Sequence, residues 1–164
     1  MPTNYRRAFD ARPDVYDAWA QLNGSIKEGM DPRRYELATL AAALRLKSSY
    51  CSLAHGKVLA EQFDEPVAEI AVDRSRLDPV DRAVMALAER VVDDATGIGD
   101  EELAELRDLG LSDAEIMDVV LAAAARCFFS KTLDGLGVLP DATFRELAPE
   151  LRQALVVGRP IADA

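Results

Sequence analysis

Residues Tyr35 to Leu59 read YELATLAAALRLKSSYCSLAHGKVL. The run Leu37 to Leu46 is interrupted only by Thr39 and Arg45, and it follows Asp31-Pro32, an N-cap residue with proline at the first helical position. This predicts a helix from Asp31 to about Leu46 whose apolar surface is too wide for a helix lying on the outside of a protein. Ser48 or Ser49 can cap a second helix with its body from about Tyr50 to Phe63. Two successive helices, the first of them buried, set the expectation of an all-α chain.

The flanking sequence agrees. Val15, Trp19 and Leu22 are spaced four and three apart, which predicts a short amphipathic helix over Pro13 to Leu22 stopping near Asn23-Gly24. A short helix near Val67 to Val72 follows, and Asp78-Pro79 repeats the cap-plus-proline start. Asp100 to Leu109 reads as a short acidic helix closed by Gly110. Ser112 to Glu115 has the capping-box pattern and opens a long helix, and a last helix is expected over roughly Ala142 to Val156. No stretch alternates polar and apolar residues as a strand does, so the expectation is an all-α bundle of about seven or eight helices in a single domain, residues 1–164. The segment Ile116 to Phe129 is apolar nearly all round, which predicts burial at the centre of the fold or against a second subunit, hence a homo-oligomer.

Composition narrows the function classes. Lys and Arg number 19 against 29 Asp and Glu, so the formal net charge of −10 repels a phosphate backbone, and no basic patch offsets it; nucleic acid is excluded as a partner. The N-terminal stretch lacks the apolar core of a signal peptide, and no apolar run approaches the ~20 residues that span a bilayer, so a cytoplasmic protein without a membrane partner is expected. Two cysteines are too few for a disulfide framework or a four-cysteine metal site.

The only histidine, His55, stands four residues after Cys51, on the same helix face and one turn away. Cys51 also falls in the first turn of its helix, where free backbone amides and the helix dipole favour a thiolate. The same two residues could equally be packed inside the fold, since free cysteine is among the most buried residue types. Glu36 is a carboxylate within the apolar helix and needs a partner. If the two helices fold back at Lys47-Ser48, each residue advances ~1.5 Å along the axis. Glu36 is eleven residues before Lys47, His55 eight after and Cys51 four after, so Glu36 stands nearer His55 and the order is Glu36, His55, Cys51. A carboxylate that orients an imidazole, which takes a thiol proton, is the pattern of an activated nucleophile. The alternative for Glu36 is an exposed position paired with Arg33 or with charges near Lys47. Nothing in the spacing calls for a metal or another cofactor, although the three side chains could supply an open zinc site.

These residues resemble the carboxymuconolactone decarboxylase and alkylhydroperoxidase D-like superfamily. The resemblance lies in Tyr35 to Leu59 and in the later stretch from Leu77 to Asp141, and covers most of the chain. Members of the hydroperoxidase type carry an acid fifteen residues before the second cysteine of a Cys-x-x-Cys pair and a histidine four after it; Glu36, Cys51 and His55 occupy those positions. The resemblance implies the helical bundle of this superfamily, assembly as trimers or hexamers, and thiol-dependent reduction of a small hydroperoxide, a peroxiredoxin-like activity. It also places Tyr50 where some relatives carry a further proton-relay residue, with packing as the alternative.

Ser48 departs from the pattern, because it occupies the place of the first cysteine. A serine cannot resolve a sulfenic acid as a disulfide, so the implied cycle needs an external thiol reductant. Ser48 itself reads as an N-cap more than as a supporting catalytic residue, and Cys127, in an apolar helix, reads as packing. Two other functions fit the same residues: a decarboxylase-type proton-transfer enzyme using His55 and Glu36, and a non-enzymatic helical oligomer or redox sensor.

Overall fold

The computed structural model describes residues 3–163. Among these residues the chain is all-helical: α1 Asn4–Ala8, α2 Pro13–Gly29, α3 Pro32–Arg45, α4 Ser49–Phe63, α5 Val67–Ile70, α6 Pro79–Asp94, α7 Asp100–Asp108, α8 Asp113–Gly135 and α9 Pro149–Leu155, with short 3-10 turns at Ala95–Gly97 and Ala142–Glu146. Nine helices are therefore seen where seven or eight were expected. The additional one is α1, which precedes the first expected helix at Pro13.

The caps read from sequence hold the starts they were expected to hold. Asp31 accepts from the amide of Arg34, Asp78 from that of Asp81, and Ser112 and Glu115 form a complete capping box. α3 is the central element: Tyr35 to Ala43 are all buried, and it packs against α4, α6 and α8. Its alanines allow neighbouring helices to approach closely. Leu37, Leu40, Leu53, Leu59, Val84, Met85, Ile116 and Val119 fill the main core between these four helices. A second cluster, rich in aromatic residues, is built by α1 and α2 against α4 and α8.

Two boundaries differ from the expectation. α2 continues through Asn23-Gly24 to Gly29, because its buried face runs Val15, Trp19, Ile26 rather than through Leu22, which is exposed. Packing of Ile26 outweighs the ~1 kcal/mol that Gly24 costs a helix. The helix expected from Ala142 to Val156 is split, since Pro149 forces Ala148 out of the helical region (ψ 140°) and leaves a 3-10 turn before it and α9 after it.

Between α3 and α4 the chain reverses in three residues. Lys47 takes a left-handed conformation (φ 56°), its amide bonds to Leu44 O and that of Ser48 to Ala43 O, the paired bonds of a Schellman turn. Ser48 thus occupies the N-cap position of α4, but its hydroxyl makes no capping bond. Its ψ of 97° lies well short of the 161° seen at the capping residues Asp78 and Ser112, so the expected cap is absent. The reversal, not the side chain, sets the start of α4.

Candidate active site

α3 and α4 lie side by side after this turn, which brings Glu36 onto His55: Glu36 Oε2 is 2.6 Å from His55 Nδ1. The carboxylate is 2% exposed and also accepts from Lys27 Nζ of α2 at 2.9 Å. Burial works against its charge, yet His55 and Lys27 hold it below the usual carboxylate range. Its partners are thus His55 and Lys27 rather than Arg33, which goes to Glu65 and Asp81. Burial, together with the charge of Arg126, pushes the imidazole down to about 4 against the pull of Glu36. His55 is therefore neutral at pH 7. An ionised Glu36 accepts the Nδ1 proton, which leaves the Nε2 lone pair available.

Cys51 lies in the first turn of α4 and is 2% exposed, within the cluster of Phe9, Ala43, Tyr50, Phe129 and Leu133. Among the described residues no hydrogen bond joins its thiol to His55. The group that meets it is Arg126 of α8, whose Nη1 donates to Cys51 Sγ at 3.6 Å while Nη2 donates to the Tyr35 hydroxyl at 3.5 Å. Tyr35 in turn donates to Asn23 Oδ1 at 2.9 Å. Burial works against the guanidinium charge, but Cys51 and Tyr35 hold its pKa above the ordinary arginine value.

A pocket of about 250 Å³ opens on this cluster, with Lys27, Glu36, His55 and Arg126 among its lining residues. Trp19, stacked on Phe129 with ring centroids 3.9 Å apart, forms an apolar side. Cys51 is not on the pocket surface; Arg126 stands between. Tyr50 is turned to other work, since its hydroxyl donates to Asp141 and its ring packs edge-on to Tyr5 and Phe144. Burial and Asp141 push that phenol well up. Ser48 Oγ is buried without a protein partner. Both cysteines are free thiols, and burial pushes Cys127 up. Among the described residues no group of three or more His, Cys, Asp or Glu side chains is placed to hold a metal ion, and no helix is long and apolar enough to cross a membrane.

The sequence reading brought Glu36, His55 and Cys51 to one place but missed Arg126, Lys27 and Trp19. For Arg126 a signal existed: an arginine inside LAAAARCFF needs a partner for the same reason Glu36 does.

No family model matches the chain, and no curated protein matches it. Solved structures do, among them two peroxidase-related proteins. One is the alkylhydroperoxidase AhpD core of an uncharacterized peroxidase-related protein from Ralstonia eutropha JMP134, at a TM-score of 0.81 and 20% identity over 88% of this chain and 80% of that one. The other is an uncharacterized peroxidase-related protein from Silicibacter sp. TM1040, at a TM-score of 0.80 and 18% identity over 89% of this chain and 80% of that one. At such identities the likeness is one of architecture. The chain adopts the alkylhydroperoxidase AhpD core fold.

Proposed function

We propose that this protein is a thiol-dependent hydroperoxide reductase in which Cys51 is the thiol that attacks peroxide. The observation that carries this reading is a buried thiol accepting a hydrogen bond from a buried guanidinium, one helical turn from an imidazole oriented by a carboxylate. His55 Nε2 takes the thiol proton, and Arg126 offers the resulting thiolate a positive charge. The sulfur attacks the terminal peroxide oxygen, the O–O bond breaks, and the alkoxide leaves with the proton from His55 as an alcohol. Cys51 is then a sulfenic acid. An external thiol condenses with it, releasing water, and a second thiol displaces Cys51 as the free thiol, leaving the reductant as a disulfide. The peroxidase-related neighbours of the same fold support the reaction class.

The test is thiol-dependent consumption of cumene hydroperoxide. Cys51→Ser abolishes it and Cys127→Ser leaves most of it; equal rates in wild type and Cys51→Ser would overturn the assignment.

The burial of Cys51 away from the pocket surface favours one second reading, proton transfer by His55 and Glu36 on a substrate that never meets the thiol. Turnover retained in Cys51→Ala and lost in His55→Ala would select it. The exposed Met117, Leu121 and Phe128 of α8 support association between copies of the chain, which light scattering of the eluting protein measures.

A further inference from the structure

Arg126 is 4% exposed and, among the described residues, has no carboxylate partner. The half-exposed arginines of α3 contrast with it: Arg33 pairs with Glu65 and Asp81, and Arg34 with Asp81. A buried cation without a counter-charge is costly, so its compensation has to come from somewhere. It touches the Cys51 thiol at 3.6 Å, the Tyr35 phenol oxygen at 3.5 Å and the face of the Phe129 ring, 5.6 Å from its centroid, and none of these is a carboxylate. Its Nε is buried without an acceptor, and so is the indole Nε1 of Trp19, which lies on the same pocket.

The charges around the pocket do not cancel. Arg126 and Lys27 are positive, Glu36 is negative and His55 is neutral, which leaves one positive charge in excess inside a chain of net charge −10. Trp19, Phe129 and Tyr16 give the lining an aromatic part, and the volume of about 250 Å³ suits a small molecule.

We infer that the pocket takes a small organic monoanion, a carboxylate on a flat apolar body, with Arg126 as the group that receives the carboxylate. Resting on the reductase reading above, the substrate class is then a hydroperoxide that carries one carboxylate. Its single charge brings the site to neutrality. Proton transfer from Cys51 to His55 leaves that total unchanged, so the thiolate forms without a net charge being buried. A neutral hydroperoxide leaves the excess charge in place.

Trp19 is the only tryptophan and lines the pocket, so its fluorescence reports occupancy directly. Sodium benzoate is titrated against the whole protein beside benzyl alcohol, its neutral counterpart, and sodium chloride at matched ionic strength. Saturable quenching by benzoate is expected, with benzyl alcohol weaker by about tenfold or more. Arg126→Gln should weaken benzoate by a similar factor and leave benzyl alcohol unchanged. Equal binding of the two ring compounds, an unchanged benzoate affinity in Arg126→Gln, or chloride reproducing the benzoate response overturns the inference. Should Arg126→Gln not fold, the ratio of benzoate to benzyl alcohol in the wild-type protein decides alone. Benzoate binding without consumption of either cumene hydroperoxide or its ring-carboxylated counterpart keeps this inference and removes the reductase; consumption without benzoate binding does the reverse.

Discussion

The Glu36 carboxylate of α3 and the His55 imidazole of α4 are joined at 2.6 Å, yet the pair is held as a carboxylate and a neutral ring. The histidine is depressed from 6.5 to about 4 by burial and by Arg126. Between those values the unfolded chain binds a proton that the folded chain does not. Stability therefore falls as pH drops from about 6.5 towards 4, with a slope of up to ~1.4 kcal/mol per pH unit. Glu36, lowered from 4.5, adds its own loss only at lower pH. Because His55 is the only histidine, urea denaturation of His55→Asn should show a flat profile between roughly pH 5 and 6.5, where the wild type slopes. An unchanged slope in the variant would show that the imidazole is not held neutral.

Ser48 occupies a capping position without capping, and its hydroxyl is buried unpaired. Replacement of a working N-cap by alanine costs ~1 kcal/mol. Ser48→Ala should instead be neutral or stabilising by up to ~1 kcal/mol, since it removes a polar group that nothing in the fold pairs. Chemical denaturation measures it, and a loss as large as that of a true cap would mean the hydroxyl does bond α4.

Asp81 is a buried carboxylate shared by Arg33 and Arg34, which ties the start of α6 to that of α3. Removing it leaves two partly buried guanidinium groups without this partner. Asp81→Ala should cost about 3 kcal/mol, at the lower end for breaking a buried pair because both arginines retain some solvent. A midpoint shift worth under ~1 kcal/mol would place the network on the surface in energetic terms.

Gly158 lies in the C-terminal tail, where its amide donates to Ser49 Oγ at 2.8 Å and a Cβ would run into the Lys47 carbonyl oxygen. The obstacle is backbone in a tight reversal and cannot swing away. Gly158→Ala should lift the tail from the start of α4 and cost roughly 1–3 kcal/mol. Thermal unfolding gives the loss. Faster amide exchange at Gly158 identifies its cause, and a variant with wild-type protection there would contradict the assignment.

What could be read from the sequence follows the range of the interactions involved. Asp31, Asp78 and Ser112 act within three residues of themselves, so their helix starts were legible. Glu36 and His55 are separated by a single turn, and helix geometry alone brings them together. Arg126 reaches Cys51 across 75 residues of sequence, and no local pattern encodes which face of α8 meets α4. The end of α2 was misplaced because Asn23-Gly24 is a local stop signal, while Asn23 accepts from Tyr35 of the next helix and Ile26 is buried against α3 and α8. Tertiary packing overrode the propensity. The split before α9, by contrast, was present in the sequence as Pro149 and its effect on Ala148.

The uninterrupted burial of Tyr35 to Ala43 has a kinetic meaning. Amides in the middle of such a segment have no local route to water and exchange with solvent only when the whole molecule opens, whereas α1 and the tail can fray on their own. Glu36 is carried on that slowest segment and Lys27 on a more peripheral helix. Partial opening of α2 would thus strip the lysine and the indole from the pocket while the carboxylate and imidazole stay in register, so ligand entry and exit need not disturb the pair.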